Sequence, residues 1–430
     1  MGFCRRESKL KPSVFFELLF YCASRTENSS LSFMVSYLES KFGIQIRKQS
    51  LAGRFTSQSV DYIQSVLKEV ISERLNFIYS DRLLTGFKRV RIKDSSKIMV
   101  PSNMESNYPG CGGDIHSRSK AGLSIQYEYD LKRGEITALS ITAGNRNDRA
   151  DAGQSASQMD AGDLIIRDLG YFSTDVFEKC LDSKAFFLSR LDASTNVYDM
   201  ENKLISFKSV YKEMSESGIL QKEMNVFIGK KKRVPVRLIL GIVPEEVYKQ
   251  RIRQKTQKSK GQGRGQLTEE TKTRSRFSLF ITNADREALP MEHAFPLYRL
   301  RWQIELNFKI WKSVFKIDKL QQMKEERYIT LLLTKLLLII INMQIIYSVQ
   351  QFFADRRPDK IPIISLNKAM KTFSSLFDEI FSMFRQNYRK MTITAQNIMK
   401  RLSENHWLES KKKKQCFPEI IELFICKSEK

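Results

Sequence analysis

The spacing of apolar positions changes several times along the chain, and each change marks an element. Residues 13–85 carry apolar positions at helical spacing. Within them, residues 43–55 (GIQIRKQSLAGRF) open with a turn at Gly43. Ser50, Leu51 and Ala52 then enter a periodic helix that leaves Arg47, Lys48 and Arg54 exposed. Two readings fit this pattern: a helix-turn-helix with a basic second helix, and a basic helical hairpin packed on the main body. Residues 88–94 (KRVRIKD) switch to a period of two, with Val90 and Ile92 on one face. Residues 122–131 alternate as well, Lys132, Arg133 and Gly134 turn the chain, and residues 135–143 return beside them. After a polar stretch at 151–161, residues 163–168 (DLIIRD) read as a short strand ending at an acid, 173–183 as a helix and 185–191 as a further strand. This order predicts a mixed α/β fold with three antiparallel strands and then parallel additions.

Residues 192–285 change character. Strand-like pieces at 204–211, 233–243 and 277–282 flank residues 251–276, which are rich in Lys and Arg around the glycine-rich 260–265. That segment predicts an exposed mobile loop, either simply solvated or touching nucleic acid. It lacks the G-K-[ST] ending of a phosphate-binding loop. Helical spacing returns over 295–350, and 351–430 read as mostly helical and basic, with Lys411–Lys414 as a solvated turn. The apolar run 331–347 is shorter than the ~20 residues of a spanning helix and contains Lys335, so it predicts a buried core helix and no membrane partner.

Charge narrows the function. The 430 residues hold 72 Lys and Arg against 48 Asp and Glu, a formal net charge of +24. Such an excess points first to a polyanion, either nucleic acid or an anionic membrane face, and composition does not choose between them. Cys4, Cys22, Cys111, Cys180, Cys416 and Cys426 show no C-x-x-C spacing, and His116, His293 and His406 lie far apart, which argues against a zinc finger or ribbon. Scattered cysteines and a charged start over residues 1–12 lead us to expect a reducing, intracellular compartment.

The most informative stretch is 298–312, YRLRWQIELNFKIWK. On one helix, Ile304, Phe308, Trp311 and Phe315 fall within a ~60° stripe, and Tyr298, Arg301, Glu305 and Lys312 form a second one about 80° away. The plain structural reading is an Arg301–Glu305 surface pair worth only a few tenths of a kcal/mol. Two strand acids weigh against it. Asp94 ends the first strand before Ser95 and Ser96, and Asp168 ends the fourth before Leu169, Gly170 and Tyr171. Acids at adjacent strand ends of an α/β sheet converge, and a helical Glu305 adds a third carboxylate. Singly, Asp94 and Asp168 are ordinary strand-end acids making turn hydrogen bonds. Three convergent carboxylates repel one another unless a divalent cation neutralises them, and oxygen-only ligands favour Mg²⁺ or Mn²⁺. Two such ions roughly 3.5–4 Å apart can activate a water or 3′-hydroxyl and stabilise the leaving oxygen at a phosphodiester.

Tyr298-x-x-Arg301-x-x-x-Glu305-x-x-x-x-x-x-Lys312 resembles the Y-R-E-K signature of the DDE transposases of the insertion-sequence-four family. Asp168-Leu169-Gly170-Tyr171-Phe172 looks like that family's second-acid motif, and Asp94-Ser95-Ser96 like its first, with Asp114 as the fallback acid. The resemblance spans roughly residues 88–315. It implies a ribonuclease-H-like catalytic core interrupted by a mostly β insertion, with helical N- and C-terminal regions. The segments would be a helical DNA-binding region (1–85), the first stretch of the catalytic core (86–191), the insertion (192–285), the second stretch of the core (286–350) and a basic helical tail (351–430). The 137 residues from Asp168 to Glu305 leave room for the insertion. By resemblance, Asp94, Asp168 and Glu305 are catalytic and bind two Mg²⁺ or Mn²⁺ ions, while Tyr298, Arg301 and Lys312 hold phosphates of double-stranded DNA. The implied reaction is cleavage at the ends of an insertion sequence and joining of the 3′-hydroxyl ends to target DNA. A dimer on DNA and a cytoplasmic, nucleoid-associated location also follow. Some relatives form a DNA hairpin with the help of a stacking Trp before the signature; Phe277 stands in that strand here, either as a substitute or as core. Trp302 and Trp311 are expected to pack, as are Tyr171 and Phe172 beneath the second acid. Two rivals remain: a related nuclease without strand transfer, and a non-catalytic DNA-binding regulator.

Overall fold

The computed structural model describes residues 9–25, 30–72, 84–111, 120–149, 153, 159–230, 232–263, 265–355, 363–376, 378–379, 382, 388–407 and 423–424. Asp114, His116 and Lys411–Lys414 lie outside the described residues. The fold is mixed α/β. Nine strands are β1 (Arg89–Met99), β2 (Gly122–Asp130), β3 (Ile136–Ala143), β4 (Asp163–Arg167), β5 (Phe186–Arg190), β6 (Val197–Tyr198), β7 (Gln221–Ile228), β8 (Val234–Ile242) and β9 (Phe277–Thr282). They form one sheet in the order β3-β2-β1-β4-β5-β9-β8-β7-β6. β1, β2 and β3 pair antiparallel, and β4 and β5 run parallel to β1, the arrangement read from the alternation. β9 returns antiparallel to β5 and carries β8, β7 and β6, so residues 192–285 extend the same sheet.

β1 does not end at Asp94 as expected. Its parallel partner stops at Lys93↔Arg167, but its antiparallel partner continues to Met99↔Gly122 and keeps the strand extended. Asp94 therefore stands one residue beyond the parallel ladder, and Asp168 follows the last residue of β4.

Two further expectations fail. Residues 204–211 do not form a strand: Phe207–Glu216 is a helix, because Phe207, Val210 and Met214 place one apolar face at helical spacing and bury it. Residues 251–276 are not a loop: Glu245–Gly261 and Glu269–Ser275 are helices. Their Glu, Lys, Arg and Gln are good helix formers, and Glu245 and Glu246 in the first turn with Lys258 and Lys260 in the last complement the helix dipole. The glycines break only the short link between them.

The two faces of the sheet differ. On β1, Val90 and Ile92 face an apolar core, whereas Arg91 and Lys93 point the other way and are also buried. The helix Trp302–Ser313 covers the apolar face, burying Ile304, Phe308 and Trp311. The Tyr127 ring of β2 lies 6.0 Å from Phe308 and 4.9 Å from Trp311. The long helix Glu325–Asp355 packs against Pro12–Ser24 and Ser57–Ser72, and its Ile340, Met343 and Tyr347 lie beside Gly134–Ile136 at the β2–β3 turn. By length and composition it could cross a membrane, but most of its apolar stretch is buried within the protein, so it serves as a core helix. Lys335 is buried inside it and donates to the carbonyls of Ala23 (3.2 Å) and Phe315 (3.0 Å); burial pulls its pKa down to about 8.

At the N-terminus, Gly43 closes the helix Leu31–Phe42 in the left-handed region (φ 64°), where a side chain would be strained. The helix Lys48–Ala52 that follows is only five residues long and holds one basic residue, Lys48. Leu51 seats it, Arg47 and Lys48 are exposed, and Arg54 is half-buried.

Candidate active site

The signature stretch is two helices rather than one. Met291–Arg299 and Trp302–Ser313 are joined by a tightened turn, in which Leu300 and Arg301 donate to Leu297 and Tyr298, three residues back. Tyr298 thus ends the first helix, Arg301 precedes the second, and Phe315 lies beyond it, still buried. Glu305 sits in the first turn of the second helix, and Lys312 in its last.

This arrangement brings the three acids to one guanidinium. Arg301 Nη1 is 3.1 Å from Asp94 Oδ2, and its Nη2 is 2.7 Å from Glu305 Oε1 and 3.7 Å from Asp168 Oδ1. Residues from β1, from the end of β4 and from a helix 137 residues further along meet within the reach of one side chain. Asp94 and Arg301 are mostly shielded, while Asp168 and Glu305 reach water. Burial pushes the Asp94 carboxyl up to about 6; the Ser95 amide (2.8 Å) and Arg301 oppose this, and the charges of Asp168 and Glu305 add to it.

An open cleft of about 500 Å³ beside the acids is lined by Asp94, Ser95, Ser96, Glu305, Phe308, Lys309, Lys312 and Ser313. Lys312 Nζ donates to the Lys97 carbonyl (2.9 Å) at its rim. Tyr298 is turned inward: its hydroxyl donates to the carbonyl of Arg167 (3.2 Å), the residue before Asp168, and burial drives its pKa to about 12. Trp302 does not pack as expected. It is 56% exposed beside Arg301, because the turn before it directs it away from the sheet, whereas Trp311 is fully buried. Phe277 is core, edge-on to Tyr211. Tyr171 and Phe172 are buried beyond the second acid. His293 rests against Phe424, and His406 bonds Thr372.

The sequence profile of the transposase DDE domain matches residues 85–342. The chain belongs to the DDE transposase family. It is 28% identical over 424 residues to the transposase for insertion sequence element IS231F of Bacillus thuringiensis subsp. israelensis, covering 94% of this chain and 87% of that protein. It is 29% identical over 346 residues to the transposase for IS231B of Bacillus thuringiensis subsp. berliner (76% and 71%). It is 26% identical over 397 residues to the transposase for IS1151 of Clostridium perfringens (88% and 83%). The matched range spans the positions of Asp94, Asp168, Glu305, Tyr298, Arg301 and Lys312.

The donor set of this family member fits divalent cations. Three carboxylates face one guanidinium, which leaves an excess of two negative charges, and every candidate donor is an oxygen. Among the described residues no three His, Cys, Asp or Glu side chains are already drawn together as a metal cage, and here the guanidinium stands between the acids.

The acid cluster has a measurable cost. A carboxyl raised to about 6 on folding takes up protons more readily in the folded chain than in the unfolded one. Stability therefore falls as pH rises from the ordinary carboxylate value near ~4 to about 6, and the loss persists above it. Asp94→Asn is expected to raise unfolding stability by roughly 1–2 kcal/mol at pH 8 and by almost nothing at pH 4. Denaturant midpoints at the two pH values check this; an equal effect at both contradicts it.

Proposed function

We propose that the protein cuts double-stranded DNA at the ends of an insertion sequence and joins the 3′-hydroxyl ends to target DNA. The observation that carries this reading is the meeting of Asp94, Asp168 and Glu305 on Arg301. In it, β1, β4 and the Trp302–Ser313 helix belong to a ribonuclease-H-like core, and residues 192–285 are the insertion that interrupts it. Residues 1–85 are the DNA-binding region and 351–430 a basic tail.

Asp94, Asp168 and Glu305 would hold two Mg²⁺ or Mn²⁺ ions. When bound, such ions supply Lewis-acid stabilisation of the phosphodiester and lower the pKa of the attacking water or 3′-hydroxyl. The protein's own groups do the rest. The sheet and the helix fix the carboxylates, and the Tyr298 hydroxyl steadies the strand end before Asp168. Arg301 and Lys312 are the cations for DNA phosphates, while the buried Tyr298, its hydroxyl committed to the Arg167 carbonyl, supports the site from beside Arg301. Arg suits this role through bidentate hydrogen bonds and Lys as a point charge. Exposed Lys249, Arg253, Lys258 and Lys260 on the Glu245–Gly261 helix, and a net charge of +24, supply the wider grip on phosphate. A dimer holding two ends, in the nucleoid, completes the reading.

A donor duplex precut at its 3′ end, incubated with protein, Mg²⁺ and a supercoiled target, tests the joining step. Covalently joined donor–target product is expected. With an uncut end duplex run in parallel, cleavage of that duplex without joining of the precut donor would identify a nuclease, and end binding with neither step would identify a non-catalytic regulator.

A further inference from the structure

Behind the acid cluster, on the opposite face of the sheet, a polar chain links the segments that carry the first two acids. Side chains alternate along β1, so Asp94 points toward the Trp302–Ser313 helix and Ser95 points away from it. Ser95 Oγ donates to Asp148 Oδ1 (3.0 Å). The same oxygen accepts from Gln126 Nε2 (3.2 Å), and Gln126 lies opposite Ser95 in the β1–β2 register. Gln126 Oε1 in turn accepts from the buried Tyr171 hydroxyl (2.7 Å), three residues after Asp168. Asp148 also abuts that turn directly: a Cβ on Gly170 would lie 3.4 Å from Asp148 Oδ2. One carboxylate thus ties the residue after the first acid, through β2, to the turn after the second.

We propose that Asp148 is a positioning residue that sets the separation of Asp94 and Asp168 for divalent cations; this rests on the function proposed above. Asp148 is not itself a ligand, because its partners Ser95 and Gln126 hold it on the face of the sheet opposite Asp94. Its work is geometric. The β1–β4 ladder ends at Lys93↔Arg167, so backbone pairing between these two strands does not reach the acids. The chain Ser95–Asp148–Gln126–Tyr171 continues the connection past the last rung. Removing a group bonded directly to a metal ligand typically changes metal affinity by about 10–100-fold, and Asp148, which acts through Ser95 and Gln126, is expected at the lower end of that range.

The test is Mn²⁺ binding to the full chain, followed by electron paramagnetic resonance of the free ion, with cleavage and end binding measured in parallel. Asp148→Ala should weaken Mn²⁺ binding by about 10-fold and raise the Mn²⁺ needed for half-maximal cleavage to match, with end binding unchanged. Asp148→Asn should stay within roughly threefold of wild type, since an amide oxygen accepts the same two hydrogen bonds. Ser95→Ala should show a smaller loss, absent when added to Asp148→Ala; it also serves if Asp148→Ala fails to fold. Wild-type Mn²⁺ affinity in Asp148→Ala would overturn the proposal, as would equal losses in Asp148→Ala and Asp148→Asn. If Glu305→Gln also binds Mn²⁺ as wild type does, the metal reading itself fails instead.

Discussion

Glu305→Gln is expected to lower Mg²⁺-dependent end cleavage by roughly 10³-fold or more while leaving binding to the same DNA ends within about threefold of wild type. The size follows from what the carboxylate would hold: stabilisation of a phosphodiester transition state by a divalent ion is worth several kcal/mol, and each ~1.4 kcal/mol is a factor of ten in rate. Binding should survive because the amide keeps the shape of the side chain and removes one negative charge facing the phosphates. The fold should survive as well, since Glu305 is partly solvated and its pair with Arg301 is an i,i+4 contact. A gel assay of end cleavage, run beside a mobility-shift assay on the same duplex, reads both quantities. Cleavage at the wild-type rate would remove Glu305 from the chemistry.

Arg301→Ala is expected to destabilise the metal-free protein by roughly 2–4 kcal/mol at pH 8. Removing one partner of a buried ion pair generally costs about 3–5 kcal/mol, and the lower figure reflects the access of Asp168 and Glu305 to water. Without the guanidinium, three carboxylates face each other with no cation between them. Two conditions should then restore stability. At pH 5 Asp94, with a pKa already raised to about 6, is protonated and one of the three charges disappears. At pH 8, millimolar Mg²⁺ should supply the missing positive charge and stabilise the variant more than the wild type. Urea unfolding at the two pH values, with and without Mg²⁺, checks both. A loss equal at pH 5 and pH 8 and indifferent to Mg²⁺ would mean that Arg301 contributes packing rather than charge balance.

Where a side chain repeats at a fixed period, its surroundings could be read from the sequence. Val90 and Ile92, the hairpin at Gly134, and Ile304, Phe308 and Trp311 all sit in regular elements whose period fixes the buried face. The convergence of Asp94, Asp168 and Glu305 was legible for the same reason, since parallel strand ends and the facing helix leave little choice of place. Each error has its own local cause. Phe207, Val210 and Tyr211 are strand-favouring types, but their spacing suits a helix, and burial of that face overrides propensity. The 245–261 and 269–275 helices hide behind a few glycines that punctuate only the link between them. Asp148 carries no periodic signal at all. It stands in a connection after β3, and only the folded sheet brings it to Ser95 and Gln126. The exposure of Trp302 depends on the tightened turn at Leu300 and Arg301, which helical spacing does not reveal. The inward use of Arg301 and Tyr298 was equally invisible, since spacing places a guanidinium or a phenol near a site without saying which groups it touches.

The most direct measurement is the anomalous difference map of crystals of the protein bound to a cut DNA end and soaked in Mn²⁺. Two peaks flanked by the carboxylates of Asp94, Asp168 and Glu305, with Arg301 withdrawn from between them, is the expected result. Peaks at other residues, with Arg301 still clasping all three acids on bound DNA, would contradict the account.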